Sequence, residues 1–314
     1  MAAATPLGGR LKKYALGLLV LAIASGLPAP AADHFVILSG LGGEPAFAER
    51  FSEQAVELGQ LCGKIAAQES LVHVLQGNDA TQQNVKNLME RLRGEMKPGD
   101  ALLLFLIGHG SYDGVDYKFN IPGPDISAAQ LNQWLNAIPA KDQLVVNMTS
   151  ASGASIDWLK SERRSVIAAT RSGRERTITV FPEFWLEGLT DPAADTDKNH
   201  VITALEAFRY AEAKVKEFYD KEKRLATEHA RLEGDTAAGF TLARFGTAQQ
   251  AAADPATREL LTQRTELERQ IAALQRRKEE MDSADYTRQL EKLLVALAQT
   301  QAKIDAAVGE QPQP

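Results

Sequence analysis

The sequence predicts an α/β fold, a doubly wound and mostly parallel sheet followed by a C-terminal helical hairpin. Three observations predict it. Short apolar runs alternate with helical patterns from residue 34 onward, as in sheets whose two faces are covered by crossover helices. One run, residues 101–107 (Ala-Leu-Leu-Leu-Phe-Leu-Ile), is apolar throughout, as expected of a strand buried on both faces. Past residue 250, leucines recur at heptad spacing among Arg, Lys and Glu, the stripe of helices that pack along one side.

Composition sets the outer limits. The 314 residues are 44% hydrophobic and 24% charged, enough for one sizeable core and an accessory element. Disorder, a collagen-like chain and a polytopic membrane protein are excluded. A single cysteine excludes an intramolecular disulfide framework and a Cys-based zinc site. The formal net charge of −6 argues against a nucleic-acid partner. There is no repeat of solenoid period.

Residues 1–31 read as a signal peptide. Arg10, Lys12 and Lys13 form a basic start, Ala15 to Leu27 an apolar stretch, and Ala29-Pro30-Ala31 a small-residue cleavage site. The stretch is well short of the roughly 20 residues that span a bilayer. The expectation is export, to the bacterial periplasm or beyond, with a mature chain starting near Ala32. No stable membrane span would remain after cleavage. Removing three basic residues leaves a net charge near −9.

The elements follow in order. Residues 34–38 (His-Phe-Val-Ile-Leu) make a first strand, closed by Ser39-Gly40. Phe47, Phe51, Val56, Leu58, Leu61 and Ile65 recur at helical spacing over 46–68. Leu71 to Leu75 is a second strand, Asn84 to Met96 a second helix, and Lys97-Pro98-Gly99-Asp100 the turn that stops it. Strand 101–107 ends in Gly108-His109-Gly110; after a helix near 127–137, strand 143–148 ends in Thr149-Ser150-Ala151-Ser152-Gly153. Residues 165–170 repeat the pattern before Arg171-Ser172-Gly173. The α/β domain is thus expected over 32–250. The hairpin occupies 251–314, with Leu260, Leu267, Ile271, Leu274, Met281, Leu290, Leu293, Leu297 and Ile304 on its stripe and a break at 282–285. The tail from Gly309 is expected to be disordered. In doubly wound sheets ligands sit beyond the carboxyl ends of the strands, where His109 and Ser150 fall.

A buried strand ending in a glycine-flanked histidine, followed 41 residues later by a strand ending in small polar residues and Ser-Gly, resembles the caspase/legumain superfamily, in particular its bacterial secreted, legumain-like members. The resemblance covers roughly residues 34–210 and implies a caspase/hemoglobinase-like fold. It aligns Ser150 with the family's nucleophilic cysteine and His109 with its base, and implies an oxyanion hole from the backbone N–H groups of Gly110 and Ser150. The Cys→Ser change is chemically large. A thiol gives its proton to a nearby imidazole readily, whereas a hydroxyl needs a base oriented by a third group. Asp113 and Asp116 follow the histidine without being obvious orienting groups. Ser150 could also serve as a helix N-cap, and Cys62 reads as a buried structural thiol. Gly40-Leu41-Gly42-Gly43 is a poor dinucleotide fingerprint, because Pro45 replaces its third glycine; in the resembling family this loop belongs to the substrate cleft. Arg50 and Arg171 are candidate pocket residues.

Residues 195–206 carry oxygen ligands at EF-hand spacing: Asp195, Asp197, Asn199, Thr203 and Glu206, with the carbonyl of Val201. They make Ca2+ a candidate cofactor. His200 stands where glycine usually supplies positive φ, and the competing reading is an acidic turn with Thr203 capping the next helix.

Three functions fit. The first is an exported legumain-like pseudopeptidase that binds an extended peptide or protein in its cleft and self-associates through the hairpin. The second is an active hydrolase with Ser150 as nucleophile and His109 as base. The third is a structural envelope protein working through the hairpin.

Overall fold

The computed structural model describes Met1, residues 31–66 and residues 68–309. The rest of the predicted leader and the tail beyond Gly309 lie outside the described residues. The chain runs through β1 (Asp33–Ser39), α1 (Pro45–Ile65), β2 (Val72–Leu75), α2 (Gln82–Glu95) and β3 (Ala101–Ile107). Three short strands, β4 (Gly110–Tyr112), β5 (Tyr117–Phe119) and β6 (Ile126–Ser127), lead to α3 (Ala128–Ala137). Next come β7 (Asp142–Asn147), α4 (Ile156–Leu159), β8 (Arg164–Ala168) and α5 (Phe181–Gly188). Then β9 (Val201–Thr203), α6 (Ala204–Lys221), β10 (Arg231–Glu233) and β11 (Thr241–Arg244) precede α7 (Gly246–Ala253), α8 (Pro255–Arg276) and α9 (Ser283–Gly309).

The central sheet has the order β10-β8-β7-β3-β1-β2. β1, β2, β3, β7 and β8 are parallel, and β10 is antiparallel to β8. From β1 the chain moves first to β2 and then back past β1 to β3, which puts the reversal of strand order between β1 and β3. The uniform apolarity of β3 follows from its position. Leu103, Phe105 and Ile107 pack with α1, α5 and α6 on one face, while Leu102, Leu104 and Leu106 pack with α2, α3 and α4 on the other.

Helix ends follow local chemistry. α2 begins at Gln82, ahead of the predicted start, because the Thr81 side chain accepts the N–H of Asn84. α3 opens on a capping box between Ser127 and Gln130. The sequence reading missed two small sheets, β4-β5-β6 and β9-β11, whose two- to four-residue strands are too short to show a period of two.

α8 and α9 form the expected hairpin. Arg264 meets Gln301 and Leu261 clusters with Ile304, so the two helices run antiparallel. The hairpin lies on the α/β body. Arg269 pairs with Asp142 (3.4 Å) and donates to the Gly239 carbonyl (3.1 Å), and Lys141 pairs with Glu266 (3.2 Å). Its buried line differs from the leucine stripe. Thr257, Leu261, Arg264, Leu274, Thr300 and Ile304 are buried, whereas Leu260, Leu267, Ile271, Leu290, Leu293 and Leu297 are half-buried. Polar docking contacts occupy the positions that a count of leucines overlooks. No helix among the described residues is long and apolar enough to cross a membrane.

Candidate functional site

Parallel pairing of β3 with β7, Leu106 opposite Asn147, brings the two motifs side by side at the carboxyl end of the sheet. Beyond β7 a buried knot fixes the chain. The Tyr117 hydroxyl lies 2.7 Å from Thr149 Oγ1 and donates to Asn147 Oδ1 (3.2 Å), and Thr149 Oγ1 also donates to Asn147 Oδ1 (2.8 Å). Burial pushes the Tyr117 hydroxyl well above its ordinary pKa, so it stays a neutral donor. Ala151 then takes a left-handed turn (φ 55°). The following Ser-Gly packs against the end of β8: Ser152 Oγ lies 3.1 Å from Thr170 Oγ1, and Gly153 N–H donates to that atom (2.8 Å). A Cβ on Gly153 would stand 2.3 Å from the backbone of Arg171.

Ser150 is 3% exposed and closed on the backbone of Gly110. Its Oγ accepts the Gly110 N–H (3.2 Å) and donates to the Gly110 carbonyl (3.0 Å). The N–H expected to serve the oxyanion hole is therefore bound to the residue aligned with the nucleophile. Glycine is required at 110, since a Cβ there would lie 2.5 Å from Ser150 O, Thr149 Oγ1 and the Tyr117 ring. Ser150 caps no helix, because the 3-10 turn after it starts at Ser152 with Ala151 ahead of it.

The His109 ring belongs to a different environment. Its Nε2, as the protonated nitrogen, donates to the Gly42 carbonyl (3.2 Å). Phe47 and Phe51, one turn apart on α1, hold it edge-on at 5.6 and 5.2 Å. Among the described residues, neither Ser150 nor a carboxylate hydrogen-bonds this ring. Asp113 is turned to the N–H groups of Val115 and Asp116 and to Lys118 (3.1 Å). These contacts hold its carboxyl down at about 2. The structure thus brings His109, Gly110 and Ser150 together in the chain path without joining the two side chains.

The remaining candidates separate. Arg50 pairs with Glu183 (2.8 Å), and Arg171 extends into solvent beside Glu175. Cys62 is buried in α1, where burial pushes its thiol far up. Gly40 and Gly42 serve close packing, since a Cβ would meet the Asn120 carbonyl at 2.4 Å and the Ala48 backbone at 2.2 Å, whereas Gly43 takes a positive φ (73°). The aromatic clamp on the imidazole was missed in the sequence reading, although Phe47 and Phe51 were visible as an i, i+4 pair.

In the 195–206 loop, oxygens of Asp195, Asp197 and Glu206 lie within 4.8 Å of one another, a cluster able to hold a divalent cation such as Ca2+. Hard carboxylate oxygens are what such an ion takes. His200 adopts the positive φ (64°) that its position demands, so the departure from glycine is accommodated in the backbone. Asp195 accepts the N–H groups of Asn199 (3.1 Å) and His200 (2.9 Å), and Asn199 Oδ1 accepts that of Val201 (2.8 Å). Thr203 and Glu206 form a capping box for α6, which is also the competing reading of these two residues. Glu206 Oε1 accepts from Thr196 and its Oε2 from Thr203. Partial burial, with Glu206 and Asp195 nearby, raises the Asp197 carboxyl above its ordinary pKa. α8 adds what the loop sequence could not reveal. Arg264 donates to the Asn199 carbonyl (3.3 Å), and Glu268 pairs with Arg264 (3.4 Å) and lies near Asp197 and Glu206.

No protein-family model matches the chain, and no curated protein does. Among solved structures, a caspase-1 from Spodoptera frugiperda is 10% identical with a TM-score of 0.45, over 68% of this chain and 89% of that one. A protein from Geobacter sulfurreducens is 10% identical at 0.42, over 70% and 96%. The Drosophila initiator caspase Dronc is 11% identical at 0.39, over 64% and 78%. All three scores lie below 0.5, and the family reading rests on the sequence motifs.

Proposed function

We propose that this chain is an exported pseudopeptidase of caspase-like fold, a binding or scaffold module with a cation-stabilised loop. One observation carries the reading: Ser150 Oγ both accepts from and donates to the Gly110 backbone, while His109 is held by Gly42, Phe47 and Phe51. A serine nucleophile needs a base within hydrogen-bond reach and a third group to orient that base. Here each partner is satisfied elsewhere. An extended peptide would lie beyond the carboxyl ends of β1 and β3, where the strand order reverses. The loop would hold a divalent cation through Asp195, Asp197 and Glu206, with Asn199 beside them; Thr203 serves the helix cap. The cation would supply countercharge to the carboxylates and fix the start of α6.

A fluorophosphonate and a peptide chloromethylketone, each followed by mass spectrometry of the labelled peptides, test the assignment. The expected result is no labelling of Ser150 or His109 in the native protein beyond that in the unfolded one. Labelling of Ser150 that requires the native fold overturns it in favour of an active hydrolase.

A further inference from the structure

Asp100 stands at the opposite, amino-terminal edge of the sheet. It is 5% exposed, and its carboxylate accepts two backbone N–H groups, from Ala32 at Oδ1 (2.9 Å) and from Lys97 at Oδ2 (2.7 Å). The surrounding chain is fixed: Ala101 N–H donates to the Ala32 carbonyl (2.9 Å), and Lys141 N–H donates to the Asp100 carbonyl (2.7 Å). Among the described residues, His34 is the one ionisable side chain paired with this carboxylate, with Nε2 at 3.7 Å. His34 is itself buried, and burial holds it below the ordinary histidine range against the pull of Asp100 and Glu95. At neutral pH it brings no charge. Asp33, beside Ala32, has the same sign as Asp100 and interacts with it as well as with Arg244 and Arg269, the Lys97 side chain is exposed, and Lys141 pairs with Glu266. A buried carboxylate with two amides and no cation is an incomplete arrangement.

We propose that Asp100 is the receptor for the α-ammonium group freed when the leader is cut before Ala32. The proposal rests on the reading of residues 1–31 as a leader. Cleavage adds water across the Ala31–Ala32 peptide bond. Ala31 leaves with the new carboxylate, and the Ala32 nitrogen becomes –NH3+ without moving. The nitrogen that already donates to Oδ1 then carries a full charge, and a neutral hydrogen bond becomes a charge-assisted one. Maturation would thus lock the first strand of the sheet to the β3 turn.

The pair raises the folded-state pKa of the α-amino group above its unfolded value, near 8. Its contribution is complete below that value and is lost as pH rises through the folded one.

The test uses the chain beginning at Ala32 in three forms: free amine, N-acetylated, and free amine with Asp100→Asn. Acetylation is expected to lower Tm by about 2–4 °C at neutral pH, with no such difference near pH 10 or in Asp100→Asn. Equal Tm for the free and acetylated forms, or an equal loss in Asp100→Asn, overturns the proposal. Should Asp100→Asn not fold, the pH dependence of reductive methylation at Ala32 decides instead. A midpoint above 8 supports the pair, and one at or below 8 overturns it. N-terminal sequencing of exported protein separates the two levels. Retention of residues 1–31 overturns the leader reading and the proposal with it, whereas a cleaved chain that starts elsewhere than Ala32, or equal stabilities with Ala32 as the first residue, overturns the proposal alone.

Discussion

Asp197→Asn isolates the cation loop with the least damage to the fold. Among the described residues the Asp197 oxygens accept only from within the loop, from Asn199 N–H (3.2 Å) and Nδ2 (3.0 Å), whereas Glu206 also caps α6. Without metal, ionising Asp197 works against the folded state. Its folded pKa is raised, so stability is highest below the unfolded value and falls as pH climbs through the folded one. The amide removes this penalty, and the metal-free variant should match or slightly exceed the parent at neutral pH. A cation changes the order. At calcium a hundredfold above its Kd, binding stabilises by about 2.7 kcal/mol, or about 5–10 °C in a chain of this size. Calorimetry with chelator and then with millimolar calcium should show that shift in the parent and at most a small part of it in Asp197→Asn. A shift of equal size in both proteins, or none in the parent, would refute the cation reading and leave an acidic turn with a capped helix.

Two further outcomes are expected. Ser150→Cys should react with iodoacetamide faster than Cys62, whose thiol burial keeps protonated; if Cys62 reacts first, the pocket at 150 is closed more tightly than the hydrogen bonds to Gly110 imply. Arg264→Ala leaves the half-buried Glu268 and the Asn199 carbonyl without their cation, and urea unfolding should record a loss of about 3 kcal/mol with an unchanged slope; a loss under about 1 kcal/mol would make the hairpin's attachment to the loop incidental.

The parallel sheet was legible because burial on both faces writes itself into composition. Residues 101–107 read as a strand buried on both faces, and the turn at 97–100 marked its start. The cation loop was legible because its ligands are local, twelve residues with fixed spacing. The state of the His109 site was not. Both residues were found from their place after adjacent strands, but the direction of an imidazole depends on Phe47 and Phe51, sixty residues upstream. The closure of Ser150 on Gly110 is a matter of ångströms that no spacing encodes. The hairpin was legible as a pair of helices, yet its docking line was read from leucines while a buried arginine and two threonines occupy much of it.

The bond from Arg264 to Asn199 spans 65 residues, and this separation sets an order of events in the life of the chain. The acidic loop precedes α8 in the chain, so its own ligands are synthesised before Arg264 and Glu268. Whatever cation it takes then is taken without Arg264 and Glu268 beside it. When the last helices arrive, they add one positive and one negative charge at the rim. A chain stopped at residue 253 would preserve the earlier condition, and its exchange rate for bound metal, compared with that of the full chain, would measure how far the last helices act as a cover.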